Sequence, residues 1–184
     1  MKGFVAGVML TLLFVVVGIY AYFAWGMAPV ATASSPMLFE RKLAHLALDA
    51  TLKKEMPKTV PIEANEANYL GGAHEYLIHC AVCHGAPGSE KTAVARGEFP
   101  RPPVLLEGTG VTDDPPGETY WKVANGIRMS GMPSFNQSLS ETQMWQISLL
   151  LANADKLPAS VKAVLAAQPA APSSEPAAAA GQPK

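Results

Sequence analysis

Cys80-Ala81-Val82-Cys83-His84 constrains this chain more than any other stretch. Its two thiols stand three residues apart, about one helical turn, so both can reach one flat partner from the same side. They are the only cysteines among the 184 residues. None is left over for a structural disulfide, and no second pair exists to complete a zinc site. A C-x-x-C redox disulfide is the plain alternative, but no alternating strand pattern flanks the motif to build the βαβ setting it needs. The run C-x-x-C-H suits covalent attachment of one haem. Each thiol forms a thioether to a vinyl group, and His84 offers a ring nitrogen to the iron.

A second axial ligand is expected from Met132, in Ile127-Arg128-Met129-Ser130-Gly131-Met132-Pro133-Ser134-Phe135. Gly131 allows close backbone approach to a flat cofactor, and Pro133 restrains the chain in a loop. Phe135 is expected to pack on the haem edge. Met129, three residues upstream, is the rival ligand, whereas methionines elsewhere read as packing. An imidazole–thioether pair raises the potential relative to two nitrogen ligands and leaves no open position, which favours electron transfer over gas or substrate binding.

Taken together, a C-x-x-C-H motif, a G-M-P-x-F loop with its methionine 48 residues after His84, and a closing amphipathic helix resemble a class I c-type cytochrome. The resemblance covers about residues 64–157, and Asn125 to Phe135 is similar to membrane-anchored bacterial monohaem members. It implies an all-α fold, a small helical domain around one covalent haem c. It also implies that a proline carbonyl in Arg101-Pro102-Pro103-Val104-Leu105 accepts a hydrogen bond from the proximal imidazole, orienting His84 and strengthening it as a donor. Pro103 is the preferred acceptor over Pro102. Gly72 and Tyr76 resemble the small and aromatic residues at which the family's first helix crosses its last.

Phe4 to Trp25 is a charge-free run of 22 positions, long enough to cross ~30 Å of hydrocarbon as one helix. Tyr20, Tyr22 and Trp25 gather at its far end, as interfacial aromatics do. A cleaved signal peptide competes, with Ala31-Thr32-Ala33 as the cleavage site, but its apolar core is typically about 7–15 residues. An uncleaved single-pass anchor is therefore expected. Lys2 precedes the span while Arg41, Lys42, Lys53 and Lys54 follow it, so charge alone does not orient it. Haem attachment outside the cytoplasmic membrane, which the resemblance implies, puts the haem domain on the periplasmic or outer face. Net charge is −1, which gives no reason to expect nucleic acid as a partner. Residues 64–157 carry ten acidic against six basic side chains, a difference of −4, which favours a partner with a positive docking face.

The expected organisation is an anchor over residues 1–26, an amphipathic stalk and linker over 27–63, the haem domain over 64–157, and a mostly disordered extension over 158–184. Ser34-Ser35-Pro36 signals a helix start, with Phe39, Leu43, Leu46, Ala47 and Ala50 on one face and Pro57 as its stop. Asn65 caps a helix whose apolar face, through Tyr69, Ala73, Tyr76 and Leu77, ends at Cys80. Gly85 to Gly110 reads as an irregular loop wrapping the haem edge. A short helix starts at Asp114-Pro115 and closes at Asn125-Gly126. In it Trp121 either packs or donates to a haem propionate, and Arg128 beyond it either pairs with a propionate or faces water. Ser140-Glu141-Thr142-Gln143 forms a capping box opening the last helix, with Trp145 expected against the first. From Ala166 the composition offers too little to bury.

Three functions compete. The first is a membrane-tethered electron carrier between redox protein partners of a respiratory chain. The second is a fixed haem subunit of an oxidoreductase complex, and the third a haem sensor.

Overall fold

The computed structural model describes residues 1–107 and 114–167. Among these the secondary structure is all helical: α1 (Lys2–Ala24), α2 (Glu40–Glu55), α3 (Glu66–His79), α4 (Ala81–His84), α5 (Ala93–Gly97), α6 (Pro116–Asn125), α7 (Glu141–Ala152) and α8 (Ala159–Ala166). The chain divides within α2 into two compact units, Met1–Leu48 and Asp49–Lys184.

The first unit is dominated by α1. It is 23 residues long, apolar throughout, and buries none of its side chains against protein, so by length and composition it can cross a membrane. The helix after it starts at Glu40, later than Ser34-Ser35-Pro36 predicted. Glu40 folds its carboxylate back onto the Met37 amide at 2.7 Å and so occupies the first turn.

The second unit is built on two long helices. Asn65 caps α3 by accepting from the Asn68 amide at 3.0 Å. Ser140 caps α7 in a reciprocal capping box with Gln143. Where the two cross, Gly72 lies on the backbone of Gln146, and a Cβ at that glycine would overlap the Gln146 carbonyl. This contact brings Ala73 and Tyr76 of α3 against Ile147, Leu150 and Leu151 of α7, all essentially sealed from solvent. The Trp145 ring stacks on Tyr120 of α6 at 4.1 Å and 16°, a neighbour the sequence did not indicate, and its indole N–H has no partner among the described residues.

Two boundaries also differ. The core does not end at residue 157, because α8 follows and Val161 and Leu165 enter the same cluster. Ser160 of α8 hydrogen-bonds Glu66 at the start of α3. The earlier part of the extension is therefore helical and packed, while 168–184 lie outside the described residues. At the other end, the last turn of α2 belongs to this unit. Leu52 is 4% exposed, Trp121 of α6 donates to Glu55 at 3.3 Å, and Gly117 of α6 faces the Pro57 carbonyl with no room for a side chain.

The helix crossing gives a paired prediction. Gly72→Ala forces backbone apart and is expected to destabilise by about 1–3 kcal/mol. Gly71→Ala meets only the flexible Gln146 amide, and its gain in helix propensity keeps it within about 1 kcal/mol of neutral. Denaturant unfolding of both variants measures the difference.

Candidate functional site

The C-x-x-C-H segment leaves α3 at its C-cap, Cys80, and turns at once into α4. Three contacts fix that short helix. Tyr76, buried on α3, donates its hydroxyl to the Gly85 carbonyl at 2.7 Å, tying the residue after His84 to the core. Thr92 donates to the Val82 carbonyl at 2.5 Å while its own oxygen caps α5 through the Ala95 amide at 3.1 Å. Gly85, at φ +80°, makes the exit turn that a side chain would strain.

His84 Nδ1 lies 2.8 Å from the Pro103 carbonyl. Since a carbonyl only accepts, Nδ1 carries the proton, and the lone pair is left on Nε2. Burial lowers the imidazole pKa below its ordinary value; the Pro103 hydrogen bond and the nearby Glu98 carboxylate work in the opposite direction. A neutral imidazole with one nitrogen held and the other free is the form a metal ligand requires.

Both cysteines are free thiols and half-buried. Burial, then the neighbouring Cys83 and Glu75, pushes Cys80 up to about 12. Cys83 is also raised, by burial and then by its hydrogen bond to Glu98 at 3.4 Å. Both shifts favour the thiol over the thiolate near neutral pH.

Across from this segment, residues 126–135 fold back onto the end of α6. Gly126 sits at φ +68°, and a Cβ there would come within 2.7 Å of the Pro133 carbonyl carbon and the Ser134 nitrogen. The loop is closed by Ile127 N to Met132 O at 3.1 Å, Phe135 N to Val123 O at 3.0 Å, and the Ser134 hydroxyl to Ala124 O at 2.6 Å. The close approach assigned to Gly131 is made to a carboxylate, since a Cβ there would stand 2.5 Å from Glu98 Oε1. Of the two candidate thioethers, Met132 is half-buried against the core, whereas Met129 turns out at φ +60° and is 93% exposed.

The remaining expected residues divide. Phe135 packs against the core and meets the His79 ring edge-on at 5.9 Å. Arg128 is exposed. Trp121 donates its indole N–H to Glu55 at 3.3 Å. The expected irregular loop contains α5, and its segment 108–113 lies outside the described residues. Sequence reasoning missed Thr92 and Glu98. Thr92 carried a signal as a helix cap; Glu98 carried none, since its neighbours lie 15 and 33 residues away in the chain.

Two thiols on one helical turn, an imidazole with Nε2 open, and a half-buried thioether from a separate loop are the donor set a covalent haem requires, and the residues present fit that group. Tyr76→Phe removes the hydroxyl that pins Gly85 and is expected to cost about 1 kcal/mol of stability, read by denaturant unfolding.

Residues 67–149 match the family model described as cytochrome c oxidase, cbb3-type, subunit III. No curated protein matches the chain. Among solved structures, a chain of the reducing HAO-like protein complex of Kuenenia stuttgartiensis aligns with a TM-score of 0.45 at 20% identity, over 56% of this chain and 53% of that one. This chain thus spans about half the length of that structural relative.

Proposed function

We propose that residues 67–149, which match the cbb3-type subunit III family model, form a class I c-type cytochrome domain, and that the protein is a membrane-tethered carrier of single electrons. One haem c would be held covalently through Cys80 and Cys83, with His84 and Met132 supplying the donor atoms for its iron. The haem, when bound, supplies the one-electron redox chemistry. The chain's own residues supply the rest. Tyr76 and Thr92 hold the attachment segment rigid. Pro103 fixes the His84 tautomer and leaves the lone pair on Nε2. The loop closed on Gly126 presents Met132 while Met129 faces solvent. Phe135 and the core residues around it would exclude water from one side of the porphyrin.

The observation that carries this reading is the 2.8 Å contact between His84 Nδ1 and Pro103 O beside two free thiols. No zinc-type cluster competes for them, since no group of three or more His, Cys, Asp or Glu able to hold a metal occurs among the described residues. The apolar helix Lys2–Ala24 supports the tether, and attachment of haem outside the cytoplasm puts the domain on the periplasmic or outer face. Its partners are then redox proteins at that surface. The acidic balance of the haem domain favours partners with a basic docking face.

A second reading makes the chain a fixed subunit of an oxidoreductase complex. The family description, which names an oxidase subunit, favours it. Purification in mild detergent separates the two: a stoichiometric companion identifies a subunit, a lone haem protein a carrier.

The ligand assignment is tested in the mature protein expressed in a host that attaches haem. The intact mass is expected to include one haem, and the oxidised spectrum a methionine–iron charge-transfer band. Met132→Ala keeps the haem mass but loses the band and lowers the midpoint potential. Met129→Leu leaves both unchanged. Loss of the band in Met129→Leu instead would reassign the ligand.

A further inference from the structure

Glu98 touches both halves of the site. Its Oε1 lies 3.4 Å from Cys83 Sγ. The same carboxylate packs so closely on Gly131 that a Cβ there would stand 2.5 Å from Oε1 and 2.7 Å from Cδ. It is half-buried, and among the described residues no ion pair neutralises it. Nor does it belong to a helix: it is the C-cap of α5, held by its amide on the Val94 carbonyl at 3.1 Å. The loop after the attachment segment therefore delivers one uncompensated negative charge to the seam between Cys83 and the residue before Met132.

We propose that Glu98 is a positioning and potential-setting residue for the haem, a carboxylate clasp at the rim where the second thioether forms. The inference rests on the covalent-haem reading above. In the unattached polypeptide the Cys83 thiol donates to Glu98, which aims the sulfur and holds it apart from Cys80. On attachment the thiol adds across a vinyl group: the S–C bond forms at the carbon next to the ring, and the thiol hydrogen passes to the terminal vinyl carbon. No external oxidant or reductant is consumed. The thiol donor then no longer exists, and the carboxylate stays beside a sulfur that is one carbon away from the macrocycle. The oxidised centre carries one more positive charge than the reduced one, so a fixed negative charge at this distance favours the oxidised form and lowers the potential. Because Glu98 is reached by solvent, the effect weakens as salt rises.

The test is a charge series at this position in the mature haem protein: wild type, Glu98→Gln and Glu98→Lys. Midpoint potential is expected to rise in that order, and the spacing to shrink at high ionic strength, with haem mass and the methionine–iron band retained in all three. A purely structural role would change stability without ordering the potentials by charge. Glu98→Asp, which keeps the charge on a shorter arm, restores a value close to wild type. A flat series with haem and band intact overturns the role of Glu98 and leaves the cytochrome reading standing. Absence of thioether-linked haem from the wild-type protein overturns that reading itself.

Discussion

The crossing of α3 on α7 rests on the absence of one side chain. With hydrogen alone at Gly72, the two backbones meet at Gln146, and everything on the same face of α3 is placed by that contact. One turn further on, Tyr76 is driven into the core and its hydroxyl reaches the Gly85 carbonyl. One turn beyond that, the helix ends at Cys80. Packing of the core and presentation of the attachment segment are thus one event, because residues at i, i+4 and i+8 share a helical face.

A donor set for a flat cofactor must be assembled from chain segments far apart in sequence, and each segment is restrained by backbone hydrogen bonds rather than by charge. Pro103 comes from the loop after α5 and accepts from His84 Nδ1 through its backbone carbonyl. The Met132 loop is stitched to α6 by main-chain and hydroxyl contacts around Gly126. Such bonds keep their geometry when the charge at the centre changes, which suits a group that must alter its oxidation state with little rearrangement. Glu98 is the exception: a charged side chain on the seam, and so the residue best placed to tune the centre rather than to build it.

The tether is less independent than a linker. Leu52 is buried and Glu55 and Pro57 are engaged by α6, so the unit begins in the last turn of α2 rather than at residue 64. The same contacts give the Trp121 indole N–H its partner in Glu55. Its indole faces the incoming stalk, and Trp145 takes the interior position by stacking on Tyr120. Neither outcome could be read from two tryptophans with similar apolar neighbours, since which side of α6 faces which element is settled only when all the elements pack.

Local chemistry wrote part of this protein directly into its sequence. The C-x-x-C-H pentapeptide, the Asn65 and Ser140 caps, the glycine closing α6 and the charge-free span of α1 each depend on residues a few positions apart, where backbone geometry and hydrogen-bonding capacity decide the result. The tertiary structure decided the rest: that α8 joins the core, that the stalk's end docks on α6, that Met129 turns outward while Met132 turns in, and that Glu98 bridges Cys83 and Gly131. These are contacts between segments tens of residues apart, and no spacing rule encodes them, because they exist only once burial of the shared core has brought those segments together.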